Sequence, residues 1–175
     1  MKYKFKPYSE NIIFLDTEFS SVDPYKGEIL SVGLVKLTGE ELYLELEYDG
    51  RLDPWVKKNI IPSLKQKKVS REEAIEKIKE FVGKKKPYMI SYVNQYDAIY
   101  TYKLFGRGNV PFYWLPIDFA SILFGMDVNP ESYFTKDKEN FFKEIGVDTR
   151  KFKHTHNALD DAKLLREVYL KMVDT

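Results

Sequence analysis

The stretch Ile12-Ile13-Phe14-Leu15-Asp16-Thr17-Glu18-Phe19 joins a short apolar run directly to two acids. Its first four residues are apolar and β-prone, so they predict a buried strand. Asp16 and Glu18 are two positions apart, and on an extended chain both side chains point to the same face of a sheet. Two carboxylates placed in this way repel each other unless a positive charge lies between them, and Mg²⁺ and Mn²⁺ favour oxygen ligands. The stretch therefore suggests a divalent-cation site at the end of a strand, although Asp-x-Glu alone is also a common polar strand end.

Two further runs predict an antiparallel meander with this strand. Ile29 to Leu37 follows a turn-rich stretch, and Leu42 to Tyr48 alternates apolar with polar residues after the connection Thr38-Gly39-Glu40. Three consecutive strands with short links are typical of a meander, and we expect Glu45 and Glu47 on its solvent-facing side.

The second half of the chain alternates predicted helices and strands. Ser70-Arg71-Glu72-Glu73 has the spacing of a capping box that opens a helix to about Val82. The later predicted elements are a strand at Tyr88 to Val93, a helix at about Asp97 to Phe105, a strand at Phe112 to Phe119, and helices at Lys138 to Ile145 and at about Ala158 to Met172. This order predicts an α/β fold with a mixed central sheet flanked by helices, formed as one domain over residues 1–175 with a core of about 11–173.

Composition excludes several classes of protein. The chain has 175 residues, no cysteine, 28 basic and 27 acidic residues, and a net charge of +1. The absence of cysteine removes disulfide frameworks, thiolate zinc sites and cysteine nucleophiles. A global positive field for long nucleic acid is absent, so a polyanion must be held by a local patch. The apolar runs are far shorter than the roughly 20 residues that span a bilayer, and Met1 to Tyr8 lacks the apolar region of a signal peptide. We therefore expect a cytoplasmic protein without membrane contact.

Two other regions carry candidate functional residues. The two histidines of the chain, His154 and His156, precede the last predicted helix, and Asp160 and Asp161 fall in its first turn. Acids in a first turn are favoured by the helix dipole, which is a sufficient explanation for Asp160. A histidine five residues before an acid can lie over an attacking water while the acid holds a cation. Asp97 follows a predicted strand, and by itself it is better explained as a cap of the helix that follows.

In combination, these motifs resemble the DEDD superfamily of 3′→5′ exonucleases. The resemblance is closer to the histidine-bearing branch, which includes ribonuclease T and the proofreading exonuclease subunits of replicative polymerases. The matching segments are Phe14-Leu15-Asp16-Thr17-Glu18, Tyr96-Asp97 and His156-Asn157-Ala158-Leu159-Asp160-Asp161-Ala162. The second segment departs from the family pattern, because the polar residue usual four positions before the Asp is Val93 here, with Asn94 one position along.

The resemblance extends from Ile12 to about Met172 and implies an RNase H-like fold. The segment Tyr96 to Gly106, together with Trp114-Leu115-Pro116-Ile117-Asp118, is similar to a small bacterial subgroup of exoribonucleases within this branch.

The resemblance also implies a reaction and a set of site residues. The expected activity is hydrolysis of the 3′-terminal phosphodiester of single-stranded nucleic acid, most readily RNA, with release of nucleoside 5′-monophosphates. The implied cofactor is a pair of Mg²⁺ or Mn²⁺ ions held by Asp16, Glu18, Asp97 and Asp161, with Asp16 bridging both. His156 is implied as the general base, and an imidazole with an ordinary pKa of about 6.5 suits that role near neutral pH.

Substrate contacts are predicted on either side of the first acids. Thr17 and Phe19 can offer a backbone N–H and a stacking face to the terminal nucleotide. With 13 Tyr and 12 Phe in the chain, most aromatic residues must lie in the core, and we assign Trp114 there as well. The lysine runs at Lys65 to Lys68 and Lys84 to Lys86 are better explained as solvated flanks of a helix than as phosphate contacts.

Three alternatives stay open at this stage. The first is a DNA-directed exonuclease, since the metal chemistry does not read the 2′-hydroxyl. The second is an RNase H-like module that binds nucleic acid without cleaving it, against which stands the presence of all five site residues. The third is an α/β domain whose acids are only caps and strand ends, which requires three motifs to coincide.

The expected partner is the 3′ end of single-stranded RNA or DNA, and a homodimer is one candidate oligomeric state because related enzymes often pair.

Overall fold

A mixed sheet forms the centre of the molecule. The computed structural model describes residues 3–106, 108–133, 138–148 and 156–174. Within these ranges the sheet has the order β3-β2-β1-β4-β5, with β1 (Ile12–Phe19), β2 (Ile29–Lys36), β3 (Glu41–Glu45), β4 (Tyr88–Ser91) and β5 (Ile117–Asp118). The first three strands pair antiparallel, whereas β4 runs parallel to β1 and β5 runs parallel to β4. The predicted fold class, a meander extended by parallel strands, is confirmed.

Helices cover both faces of this sheet. They are α1 (Pro54–Asn59), α2 (Arg71–Val82), α3 (Gln95–Phe105), α4 (Phe119–Gly125), α5 (Lys138–Ile145) and α6 (Ala158–Met172), with short 3-10 turns at Ile61–Ser63 and Pro130–Tyr133. Ser70 caps the beginning of α2 as its place in the predicted capping box requires, because its hydroxyl oxygen accepts a hydrogen bond from the Glu73 N–H at 3.1 Å. The Glu73 carboxylate forms an ion pair with Lys77 at 2.6 Å. In the part of the chain that the structure describes, every helix is too short or too polar to cross a membrane.

Strand β1 lies in the middle of the sheet, and both of its faces are buried. Alternate side chains of a strand point to opposite sides of the sheet. Phe14 packs with the α6 residues Leu165 and Val168 on one side, whereas Leu15 packs with Ile78 of α2 and Leu104 and other residues of α3 on the other. The apolar half of β1 thus anchors helices on both faces, and its acidic half emerges at the carboxyl end of the sheet.

Four of the predicted strands are shorter in the structure; β2 ends at Lys36 and β3 at Glu45, whereas the predicted runs end at Leu37 and Tyr48. Strand β4 ends at Ser91, because Val93 takes a left-handed conformation with φ of +46° that an extended strand cannot contain. Strand β5 is limited to Ile117–Asp118, because Pro116 lies inside the predicted run and has no N–H to donate to a neighbouring strand.

Two predicted burial states are wrong. Trp114 is 70 % exposed, because it lies in the loop that leads to the edge strand β5 and not in an element packed on the core. Glu45 is only 1 % exposed, although the alternation of β3 predicts a solvent-facing side chain. The chain that follows α1 covers it, and the N–H of Lys65 donates to its Oε1 at 2.8 Å. Glu47, in contrast, is exposed as predicted.

Candidate active site

A cavity of about 380 Å³ opens at the carboxyl end of β1. Asp16 and Glu18 line it from one face of β1, and His156 and Asp161 line it from the beginning of α6. One carboxylate oxygen from each of Asp16, Glu18 and Asp161 lies within 4.8 Å of the other two. Three of the predicted site acids, drawn from opposite ends of the chain, therefore form one cluster, and His156 borders the same space.

Gly33 allows α6 to approach the sheet closely enough to deliver Asp161. Gly33 pairs with Asp16 across β2 and β1. A Cβ atom added to Gly33 would lie 2.3 Å from the backbone C and O atoms of Ala158, the first residue of α6. Any side chain at this position would push the helix away from the strand, so the glycine fixes the depth at which Asp161 meets Asp16.

The first turn of α6 is capped by Asn157. Its side-chain oxygen accepts hydrogen bonds from the N–H groups of Leu159 and Asp160 at 3.1 and 3.2 Å. Asp160 is exposed, which agrees with a role limited to the helix dipole, whereas Asp161 turns into the cavity. Two adjacent acids of the same turn thus have different surroundings, one in solvent and one at the cavity.

Asp97 lies beside this cluster and is held by Thr17. Strand β4 pairs with β1 only as far as Phe14, which leaves the Thr17 N–H on that edge of β1 available. Asp97 Oδ1 accepts from the Thr17 N–H at 2.9 Å and from its hydroxyl at 2.7 Å. In this structure the Thr17 N–H is therefore engaged by Asp97, and its predicted contact with a nucleotide stays a prediction.

Burial raises the pKa values of Asp16, Glu18 and Asp97, and repulsion by neighbouring acids adds to the shifts of Asp16 and Glu18. The pKa of Asp16 lies well above its usual value, first because the group is buried and then because Asp97, Asp161 and Glu18 surround it. Burial, followed by the charges of Asp161 and Asp97, raises the pKa of Glu18 to about 8. The pKa of Asp97 rises to about 7 through burial, against the opposing effect of the Thr17 hydrogen bonds.

Acidic side chains concentrate negative charge in the described part of the cavity. Among the described residues, neither lysine nor arginine lines it. A divalent cation relieves the repulsion of clustered carboxylates and inverts their pKa shifts. The three clustered acids offer only oxygen ligands, a donor set that suits Mg²⁺ or Mn²⁺.

These shifts predict how pH changes the stability of the metal-free protein. Between the ordinary pKa of Glu18, 4.5, and its folded value of about 8, the folded state binds more protons than the unfolded state. The contribution of Glu18 to the free energy of unfolding therefore falls as pH rises through this window. Glu18→Gln should raise that free energy by on the order of 2 kcal/mol at pH 9 and change it little at pH 4.

Urea unfolding in EDTA at the two pH values measures this difference. Glu47→Gln is the matched control, because Glu47 is an exposed acid that follows the same sheet. A difference between Glu18→Gln and wild type that does not grow with pH would contradict the assignment.

His156 takes an unusual backbone conformation beside the acids. Its φ is +48°, in the left-handed region that residues with a Cβ rarely adopt. The ring of Trp55 meets the imidazole edge to face, with centroids 5.2 Å apart and an interplanar angle of 83°. The other histidine, His154, lies outside the described residues.

The mouth of the cavity contains apolar residues that the sequence does not predict for the site. Trp55 is 56 % exposed and Val22 is 63 % exposed, and both line the cavity. The sequence feature that could have indicated this role for Trp55 is its place in the first turn of a short helix whose buried residue is its neighbour Val56. Phe19, which the sequence does predict, lines the cavity and stacks on Tyr100 with ring centroids 4.6 Å apart. Both lysine runs are exposed, as predicted.

A mixed sheet that gathers acids at the carboxyl end of its central strand, opposite a final helix, is the arrangement of an RNase H-like nuclease. A family model described as exonuclease, the RNase T model, matches residues 13–169. The chain belongs to this exonuclease family, which is part of the DEDD superfamily. None of the curated proteins matches the chain.

Solved structures share the fold at low sequence identity. Exonuclease I of E. coli in complex with a dT13 oligonucleotide is 15 % identical, with a TM-score of 0.66 over 91 % of this chain and 40 % of that chain. The zinc-bound E. coli complex with single-stranded DNA is 16 % identical, with a TM-score of 0.69 over 92 % and 39 %. Exonuclease I of Methylocaldum szegediense is 16 % identical, with a TM-score of 0.63 over 91 % and 39 %. This chain therefore spans about 40 % of the length of these structures.

Proposed function

We propose that this chain is a divalent-metal-dependent 3′→5′ exonuclease of the histidine-bearing branch that trims single-stranded RNA and releases nucleoside 5′-monophosphates. The observation that carries the proposal is the cluster of Asp16, Glu18 and Asp161, whose carboxylate oxygens lie within 4.8 Å of one another in a cavity that His156 also lines. Membership of the exonuclease family supports the reaction class. We further propose that residues 1–175 act as one exonuclease domain.

The acids supply the ligands for the cofactor. Asp16, Glu18 and Asp161 would hold one Mg²⁺ or Mn²⁺ ion, and Asp97 would help Asp16 to hold a second. When bound, such ions neutralise the carboxylates and stabilise the negative charge that develops on the phosphate. Thr17 contributes by holding Asp97 through two hydrogen bonds, so that the carboxylate keeps its place beside Asp16.

His156 would remove the proton from the attacking water. The imidazole borders the cavity that the acids line, which is the position a general base requires. Trp55 limits the movement of the ring by packing against its edge.

The apolar mouth would bind the terminal nucleotides. Stacking of bases on aromatic side chains holds a single strand with little dependence on sequence. Trp55 and Phe19 line the cavity and are aromatic residues suited to this role. Val22 lines the same cavity and is exposed, so it adds apolar surface at the mouth. The preference for RNA rests on the similarity of two segments, Tyr96 to Gly106 and Trp114 to Asp118, to a subgroup of exoribonucleases.

A DNA-directed exonuclease is the second candidate. It is favoured by one observation, namely that the E. coli structures of similar fold are complexes with DNA oligonucleotides. The metal chemistry is the same for both sugars, so the two candidates differ only in contacts to the 2′ position.

One digestion experiment tests both candidates. Incubation of 5′-labelled single-stranded RNA and sequence-matched DNA with the protein and Mn²⁺ should give a ladder that shortens from the 3′ end one nucleotide at a time, with RNA degraded faster. A circular oligonucleotide, which has no 3′ end, should stay intact. Cleavage of the circle would contradict exonuclease polarity, and faster loss of DNA would establish the second candidate.

A further inference from the structure

The segment of residues 54–65, which we call the α1 segment, contacts His156 at two points. Trp55, near its beginning, packs against the imidazole ring. Ser63, near its end, places its hydroxyl 3.0 Å from the backbone carbonyl oxygen of His156. The same hydroxyl lies 2.7 Å from the carbonyl oxygen of Ile60, so its single proton is shared between the two acceptors. The segment therefore touches both the ring and the backbone of the proposed base.

The backbone contact matters because of the conformation of His156. A left-handed conformation in a residue with a Cβ costs of order 1 kcal/mol or more and persists where surrounding contacts hold it. In His156, with φ of +48°, this conformation directs the side chain relative to α6. The Ser63 hydroxyl donates to the His156 carbonyl oxygen in this conformation. This hydrogen bond therefore favours the left-handed conformation of His156 over an extended one.

The α1 segment is itself fixed to the sheet. Val56 and Ile60 pack with Leu30 of β2 in a small apolar cluster. At the end of the segment, the N–H of Lys65 donates to Oε1 of Glu45 at 2.8 Å. Both ends of the helix and turn that carry Trp55 and Ser63 are thus held in place.

Glu45 is an unusual residue for such an anchor. It is 1 % exposed, and its Oε1 also accepts from the Tyr43 hydroxyl at 3.1 Å. Its Oε2 has no hydrogen-bond partner among the described residues. Burial of a carboxyl group with an unpaired oxygen lowers stability, so packing alone does not account for a glutamate at this position. Its contact with Lys65 offers a reason, because that bond sets the path of the chain two residues after Ser63.

We propose that Ser63 and Glu45 are positioning residues that act on the reaction through His156: Ser63 holds the His156 backbone in its left-handed conformation, and Glu45 holds the α1 segment that carries Ser63. This inference rests on the proposed function, since it takes His156 as the general base. Neither residue lines the cavity in which the acids lie, so neither is placed to contact the reacting phosphate there.

The first test compares Ser63→Ala with Ser63→Thr. A misplaced base slows the chemical step and leaves substrate binding intact, so Ser63→Ala should lower kcat by roughly 10-fold with KM unchanged. Ser63→Thr keeps the hydroxyl and should restore kcat to nearly the wild-type value. Thr38→Ala, which removes an exposed hydroxyl from the β2–β3 turn, should have no effect on either constant.

A double-mutant cycle separates a positioning role from a general loss of structure. In a His156→Ala background the imidazole is absent, so Ser63→Ala should cause no further loss of kcat. An additional 10-fold loss in that background would overturn the role of Ser63. If His156→Ala itself leaves kcat unchanged, the general base has been assigned wrongly, and the proposed function fails at that step together with this inference.

Glu45 is tested in the same assay. Glu45→Gln keeps an oxygen for the Lys65 N–H and should retain nearly full kcat, whereas Glu45→Ala should lower kcat about as much as Ser63→Ala. The double variant Ser63→Ala/Glu45→Ala should be no slower than the slower single variant, because both act on the same contact. Additive losses would overturn the link between the two residues, and thermal unfolding of each variant identifies a protein that no longer folds.

Discussion

Asp16→Asn is expected to abolish hydrolysis while the protein stays folded. Asp16 belongs to the acid cluster and is repelled by the charges of Asp97, Asp161 and Glu18, so it lies where their interactions meet. Loss of its charge removes the ligand that the proposed site needs most, and a loss of at least about 10³-fold in kcat, or about 4 kcal/mol, is the expected scale. The metal-free variant should be no less stable than wild type, because the substitution removes a buried repulsive charge.

Turnover of a 5′-labelled oligonucleotide and thermal unfolding in EDTA measure the two parts of this result. Asp160→Asn is the matched control, since Asp160 is an exposed acid adjacent to Asp161 in the same helical turn. It should keep wild-type activity. Hydrolysis by Asp16→Asn at the wild-type rate would refute the assignment of the cluster.

His156→Ala should lower kcat by roughly 10²–10⁴-fold, the range typical of a lost general base. The effect should fall on kcat, because the acids proposed to bind the cofactor and the apolar mouth proposed to bind the nucleotide are unchanged. In wild type, protonation of the imidazole removes the base, so the rate should fall as pH drops through the pKa of His156. The variant should lose this acid-side dependence.

Comparison of the pH–rate profiles of wild type and His156→Ala at saturating Mn²⁺ is the measurement. Residual activity with an unaltered acid limb would assign that limb to another group. His156→Gln, which keeps a polar side chain of similar size, should be as slow as His156→Ala, because an amide does not accept the proton at neutral pH.

Local patterns predicted much of the fold. The apolar half of β1 and the Ser70 cap of α2 set the ends of elements through short-range chemistry, and the structure confirms both. The bounds predicted for α5 and α6 agree with Lys138–Ile145 and Ala158–Met172. These elements are readable from sequence because the periodicity and the caps lie within the elements themselves.

The acids were predictable for a different reason. The spacing of Asp16 and Glu18 placed both side chains on one face of a strand, but only the family resemblance linked them to Asp161. Convergence of the three depends on Gly33, which admits α6 against β2, and a glycine within a strand pattern was the available sign of that close approach.

The sequence could not predict burial and contacts that depend on segments far apart along the chain. Glu45 is buried because a segment about twenty residues later lies over it. No feature of the β3 sequence indicates that this segment packs there. Trp114 is exposed because its loop leads to an edge strand, although tryptophan is usually largely buried. Trp55 borders His156 through a contact between residues about a hundred positions apart, which a helix pattern does not specify.

A calorimetric titration with Mn²⁺ tests most directly the central claim, that Asp16, Glu18 and Asp161 form a divalent-cation site. The wild type should bind Mn²⁺ and release protons at pH 7, because burial and repulsion raise the pKa of Glu18 to about 8 and the cation displaces the proton it holds. Asp16→Asn should lose this binding, and Asp160→Asn should retain it. A wild type that takes up no Mn²⁺, or an isotherm that Asp16→Asn leaves unchanged, would contradict the claim.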